Sequence, residues 1–243
     1  MAKARMSSKK SVETKSEAKP DINIDHFVVR RVKALNDEQQ KYMDMLRDPN
    51  IDLILVHGFA GTSKTLLATC IAAEKLQEGV ISKIYVVRPP VSGSKSLGYT
   101  KGDDLMKSIG WCMPVLDALE YAVGKDVTNA LWEAGAIQPI PLEKIKGRSL
   151  RDCFVIIDEA EDIDIREFIA CSTRISDNCK MIFSGDVLQC DLKKESGLKK
   201  AVELKHKYPH LSWGLIDFNK PEHIVRSKSV KESILMFREE GLM

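Results

Sequence analysis

Gly58-Phe59-Ala60-Gly61-Thr62-Ser63-Lys64-Thr65 is the stretch of this chain whose residue types and order could bind a phosphate chain. The apolar run Ile51-Asp52-Leu53-Ile54-Leu55-Val56 precedes it, and the helix-like run Leu66 to Leu76 follows. Strand, glycine-rich turn and helix is the order in which backbone N–H groups and a helix N-terminus face phosphate oxygens. In that setting Lys64 reaches the outer phosphates and the Thr65 hydroxyl is a Mg²⁺ ligand. The pattern G-x-x-x-x-G-K-[ST] carries Ser63 in place of its second glycine. If the turn needs a positive φ there, Ser costs about 1 kcal/mol of strain. Taken alone, the loop also reads as a glycine-rich connection without a ligand.

A second run, Cys153-Phe154-Val155-Ile156-Ile157-Asp158-Glu159-Ala160, is apolar until it ends in two acids. Continuous apolar runs suit strands buried on both faces of a parallel sheet, and ligands of such sheets gather at the strands' C-terminal edge. There Asp158 holds Mg²⁺, directly or through water, and Glu159 orients or deprotonates an attacking water. A solvated acid pair at a strand end is the bland alternative. The third run, Met181 to Gln189, ends in Ser184-Gly185-Asp186, so Asp186 or Gln189 could sense a γ-phosphate; otherwise these residues are a turn.

The elements needed to position these groups follow from the rest of the chain. It has 243 residues, 44% hydrophobic and 30% charged, which fits one sizeable α/β domain plus a tail. Net charge of +2 gives no bulk argument for nucleic acid. Six scattered cysteines with no C-x-x-C pair suggest reduced thiols and a cytoplasmic location. No run approaches membrane-spanning length, and the N-terminus has no apolar signal core. Residues 1–24 read as a disordered basic tail, either solubilising or touching nucleic-acid phosphates; residues 25–243 form the domain.

Within the domain, Asn36 is an N-cap candidate with Gln39 as its box partner. Ile81 to Val87 reads as a strand stopped by Arg88-Pro89-Pro90. Ile109 to Val123 reads as a helix that Pro114 starts or kinks. Trp111 and Trp132 read as core. Gln138 to Leu142, with Pro139 and Pro141, reads as a short strand at an edge or as an extended piece. Leu211 to Phe218 is the expected last strand, and Val230 to Glu239 the terminal helix. The loop Ser92 to Asp104, with Lys95, Tyr99 and Lys101, suits single-stranded nucleic acid, a lid or a subunit contact. His206 and His210 are separated by Pro209, which argues against a helical metal pair. Alternating strands and helices point to a three-layer α/β domain with a mostly parallel sheet.

Gly58 to Thr65, Val87-Arg88-Pro89, Leu97-Gly98-Tyr99, Gly147-Arg148-Ser149-Leu150, Ile157-Asp158-Glu159-Ala160, Thr173-Arg174-Ile175 and Gly185-Asp186-Val187-Leu188-Gln189 occur in one order along the chain. That order resembles the PhoH-like family, phosphate-starvation-associated ATPases similar to the superfamily 1 helicase core. The resemblance runs from about Asp25 to Phe237, departs at Ser63, and makes the chain look like a stand-alone version. It implies a P-loop NTPase, RecA-like fold and ATP with Mg²⁺ as cofactors. It gives Lys64, Glu159 and Gln189 catalytic roles, and it makes Thr65 and Asp158 the metal ligands. Gln39 then matches a residue that reads the adenine edge, with capping an equal reading. Arg88 binds a nucleic-acid backbone or holds an acid. Arg174, read as helical along with Arg166, is the first candidate for an arginine finger from a neighbouring subunit. Arg226 is the second, and a surface ion pair is the alternative for either. The implied assembly is a hexameric ring working on RNA or single-stranded DNA. The rivals are a poorly hydrolysing ATP-binding switch, favoured by Ser63, and a scaffold acting through protein partners.

Overall fold

The computed structural model describes residues 26–89, 104–190 and 195–242, with the side chains of 104–109 and 111 excepted. The basic tail, the loop residues 92–103 and the Trp111 side chain therefore lie outside the described residues.

Six strands form one sheet: β1 (Leu53–Gly58), β2 (Lys83–Val87), β3 (Ile137–Pro139), β4 (Cys153–Ile157), β5 (Cys179–Gly185) and β6 (Gly214–Phe218). Their order is β3-β2-β4-β5-β1-β6, and every pairing is parallel. Parallel neighbours need crossovers, and helices α2 (Lys64–Gln77), α3 (Asp104–Val123), α4 (Lys125–Glu133), α5 (Ile165–Ser172) and α6 (Gly197–Lys207) lie between the strands, with α1 (Asp37–Arg47) before β1 and α7 (Lys228–Glu239) after β6.

Side-chain alternation along the strands sorts the core into two layers. Ile54 and Val56 of β1, Ile84 and Val86 of β2, and Phe154 and Ile156 of β4 pack with Tyr42 of α1, Ile71 of α2, Leu119 of α3 and Leu131 of α4. Leu53, Leu55, Val155, Ile157, Met181 and Phe183 face the other way, onto Phe168 of α5 and Leu198 and Ala201 of α6. Both faces are covered, which is why the central strands read as unbroken apolar runs rather than alternating ones. The expected three-layer α/β architecture is the one observed.

Element bounds depart from the sequence reading in places: β6 begins at Gly214 rather than Leu211, β3 covers Ile137–Pro139 rather than Gln138 to Leu142, and two helices differ. Helix α3 begins at Asp104, before the expected Ile109, and Pro114 sits inside it. Its buried Val115, Leu119 and Ala122 hold it against α2 despite the donor that proline removes. Helix α5 ends at Ser172, so Arg174 lies in the turn before β5 rather than on a helix. Strand β3 is still a short edge strand ending in Pro139, where a missing N–H costs no ladder bond.

Candidate functional site

The phosphate-loop residues leave the C-terminal end of β1 and enter α2 with three positive φ angles: Gly58 at 124°, Gly61 at 76° and Ser63 at 66°. The left-handed conformation at Ser63 is the one glycine accepts freely, so the serine carries the strain that its position implies. Ser63 is also the N-cap of α2, yet its side chain makes no capping bond. Gly61 has a second constraint, because a Cβ there would lie 2.7 Å from Cγ of Arg226. The buried Thr62 hydroxyl donates to the Phe59 carbonyl at 3.0 Å and closes the loop from inside. Lys64 donates to the carbonyls of Gly58 at 2.8 Å and Phe59 at 2.9 Å. Burial pulls the Lys64 ammonium below its ordinary range, and Asp186, Glu161, Asp158 and Glu159 pull it back.

The acids of the second run meet this loop. Asp158 leaves β4 with its N–H on the Val87 carbonyl of β2 and its Oδ1 accepting from the Thr65 hydroxyl at 2.9 Å. Two hard oxygen donors are thereby brought together from segments 93 residues apart. Burial pushes the Asp158 carboxyl upward, and the Thr65 bond and nearby Arg88 and Lys64 oppose that shift. A desolvated carboxylate against a hydroxyl fits Mg²⁺, which takes few protein oxygens and keeps waters and phosphate oxygens as its other ligands.

Glu159 follows in a left-handed conformation, φ 54°, and pairs with Arg88 at 3.0 Å. Of the two readings of Arg88, the structure places it on an acid of the site.

Ala60 to Thr65 are joined by Ser184, Gly185, Asp186, Gln189 and Arg226 around a cleft of about 610 Å³, whose far wall is Pro114, Asp117 and Tyr121 of α3. Among the described residues, the Ser184 hydroxyl and the Gln189 amide nitrogen are buried without a partner. Two orphaned donors lining a cleft beside a lysine suit an anionic ligand.

Three expected residues stand elsewhere or are otherwise engaged. Gln39, 1% exposed, accepts from the Leu35 N–H at 2.8 Å and donates to the Thr62 carbonyl at 3.1 Å. Its own N–H goes to the Asn36 side chain at 2.9 Å. The Gln39 amide thus braces the phosphate loop; Asn36 is the N-cap as expected, while the Gln39 side chain accepts from Leu35 rather than closing a box on Asn36. Arg174 precedes β5 while the cleft lies beyond its end, so roughly 20 Å of strand separates it from the site within this chain. Asp186 accepts from the Leu188 N–H at 3.2 Å and from Arg238, which leaves Gln189 as the sensor candidate with free donors.

Two site residues had no sequence signal. Glu161 lies in the short 3₁₀ turn after the acid pair, 2% exposed, and accepts from the Asp186 N–H at 3.1 Å. Burial pushes its carboxyl up to about 8, Glu159 adding to the shift. A run of four acids and one alanine, Asp158 to Asp162, reads as solvated, and only the packing of β5 over Glu161 reveals otherwise. Arg238 comes from α7 and meets Asp186 across 52 residues, a separation that no spacing rule connects.

Comparison with known proteins agrees with this geometry. The family model described as "PhoH-like protein" matches residues 31–238. A PhoH-like protein of Bacillus subtilis (strain 168) is 39% identical over 176 residues, covering 72% of this chain and 54% of the relative. Protein PhoH2 of Thermobispora bispora is 34% identical over 162 residues, covering 66% of this chain and 37% of the relative. The chain thus spans about half or less of these relatives' length. Among solved structures, the HK97 bacteriophage large terminase superposes with a TM-score of 0.55 at 13% identity, over 90% of this chain and 50% of that one. That likeness is one of fold, the P-loop NTPase fold with its parallel sheet. The chain belongs to the PhoH-like family.

Proposed function

We propose that the cleft binds ATP with Mg²⁺ and hydrolyses it. The observation that carries this reading is the Thr65–Asp158 contact, which joins the two expected metal ligands beside a left-handed phosphate loop. Bound at these oxygens, Mg²⁺ would neutralise charge on the β- and γ-phosphates. Lys64 would exchange the Gly58 and Phe59 carbonyls for phosphate oxygens. Gln189, Ser184 and Arg226 would face the γ-phosphate from the β5 and C-terminal sides. Glu159 would orient the attacking water once Arg88 lets go of it. Arg174, placed far from its own cleft, would serve a neighbouring copy's site in a ring of subunits, a hexamer by family resemblance. Work on RNA or single-stranded DNA is the coupled function that the resemblance supports.

The test is phosphate release from ATP with Mg²⁺, with and without single-stranded RNA, for wild type, Lys64→Ala and Glu159→Gln. Activity lost in both variants supports the ATPase, and stimulation by RNA supports the coupling. A monomer whose rate ignores RNA would sink the coupling.

A second reading has its own observation. The Arg88–Glu159 pair withholds the candidate base, and Ser63 strains the loop. Together they suit an ATP-binding switch or scaffold that hydrolyses slowly and acts through protein partners. Tight ATP binding with hydrolysis at the buffer rate would establish it. Among the described residues no helix is long and apolar enough to cross a membrane.

A further inference from the structure

The C-terminal segment is built onto the phosphate loop more closely than a terminal helix needs to be. The Val225 N–H donates to the Gly61 carbonyl at 3.1 Å. Ile224 and Ile234 bury themselves against Phe59, with Leu235 packed alongside. The Arg238 guanidinium lies 4.0 Å from the centre of the Phe59 ring. Its Nη2 donates to Asp186, and the two side chains are only 12% and 5% exposed. Arg238 thus touches two segments that border the cleft, the loop after β1 through Phe59 and the turn after β5 through Asp186.

We infer that Arg238 is a positioning residue for nucleotide hydrolysis, acting through Asp186 and Phe59. The inference rests on the ATPase reading above. Asp186 is the foremost opposing charge on Lys64. Unpaired, it would present a carboxylate to the anion the cleft is to receive and would hold Lys64 back from phosphate. Paired with Arg238, it is neutralised and fixed. The Asp186 carbonyl in turn accepts the Gln189 N–H at 2.8 Å, so fixing Asp186 also aims Gln189. Stacking on Phe59 ties the same guanidinium to the loop that carries Lys64. A planar, forked cation can do both at once, which an ammonium cannot.

The experiment uses the full chain as wild type, Arg238→Gln, Arg238→Lys, Asp186→Asn and the Arg238→Gln/Asp186→Asn double variant. With ATP and Mg²⁺, Arg238→Gln is expected to lower kcat about 10- to 100-fold, the loss typical of a misplaced catalytic group, while KM moves by less than about threefold. Arg238→Lys should recover part of kcat, and the double variant should be no slower than the slower single one, because both break one link. A folded Arg238→Gln with kcat within about twofold of wild type, or losses that multiply in the double variant, would overturn the inference. Hydrogen exchange without nucleotide supplies an arm independent of hydrolysis. Arg238→Gln should speed exchange at residues 58–63 and 185–189 together, and unchanged exchange at both would overturn the link. If wild type neither binds nor hydrolyses ATP, the ATPase reading falls, and the exchange arm alone decides whether Arg238 joins the two segments. Should Arg238→Gln fail to fold, Arg238→Lys and Asp186→Asn carry the same comparison.

Discussion

Replacing Ser63 with glycine should stabilise the protein, and the amount can be worked from the backbone. Ser63 sits at φ 66°, ψ 25°. An L-residue pays roughly 1–2 kcal/mol for that conformation. Glycine avoids that cost but returns roughly 0.5–1 kcal/mol through its freer unfolded chain. No hydrogen bond is lost, since the Ser63 side chain caps nothing. The net expectation is a gain of about 0.5–1 kcal/mol, or about 1–4 °C in Tm for a chain of this size. Ser63→Ala keeps the Cβ and its strain, so it should stay within about 0.5 kcal/mol of wild type. Urea unfolding at constant m-value, with thermal scans beside it, reads both variants. A Ser63→Gly protein less stable than wild type would refute the strain argument. So would a Ser63→Ala protein that loses more than about 1 kcal/mol, because the hydroxyl would then be holding something. If the strain is settled on folding, kcat of Ser63→Gly stays within about threefold of wild type, and a larger rise would favour the switch reading.

Glu161 predicts a pH dependence. Its folded pKa of about 8 exceeds the ordinary 4.5, so the folded state binds its proton more tightly than the unfolded chain does. Its contribution is full below that ordinary value and is lost as pH rises through about 8. Wild type should therefore lose stability relative to Glu161→Gln between pH 5 and pH 8 in urea titrations, and a constant gap would refute the burial argument. Gly185→Ala should cost roughly 1–3 kcal/mol by overpacking. Its Cβ would run into the Glu161 carboxylate and stand 2.9 Å from the Glu161 backbone nitrogen. Stability to urea and nucleotide affinity should fall together in that variant. Arg88→Met should free Glu159 from a half-exposed pair of 27% and 43% exposure. Such pairs are worth about 0.2–1 kcal/mol, so basal phosphate release should rise no more than about fivefold, and a fall would mean that Arg88 assists the chemistry.

What the sequence made legible depended on how locally each feature is determined. The β1–loop–α2 unit and the acid-ended β4 are continuous segments with glycines or carboxylates at their ends, so residue order carried them. The positive φ at Ser63 followed from the motif's own geometry. Asn36 and Gln39 showed their capping relation because it spans one helical turn. The same Gln39 amide bonding Thr62 was invisible, since that contact is made across the fold. Pro114 read as a helix start or a kink because proline loses a donor and clashes; it lies inside α3, where packing on α2 outweighs that local cost. Arg174 was legible as a motif residue but not as one remote from its own cleft, because the end of α5 and the strand it precedes had first to be placed.

The site's electrostatics join these pieces. Asp158, Glu159, Glu161 and Asp186 all line one cleft, along which a polyanion is proposed to lie. Left charged and unpaired, four carboxylates would repel it. Each is offset by a different means. Asp158 accepts from Thr65 and is the proposed Mg²⁺ ligand. Glu159 faces Arg88. Burial favours the protonated form of Glu161. Asp186 faces Arg238. Lys64 and Arg226 then remain as the cations turned toward a ligand, with the orphaned donors of Ser184 and Gln189 beside them. Two of these offsets differ in exposure. The Arg88 pair is partly exposed, with side chains 27% and 43% exposed. The Arg238 pair, made by a residue of α7, is buried, with side chains 12% and 5% exposed. On the proposed reading, a buried pair would hold the phosphate-facing turn fixed while a half-exposed pair would leave the candidate base Glu159 easier to release.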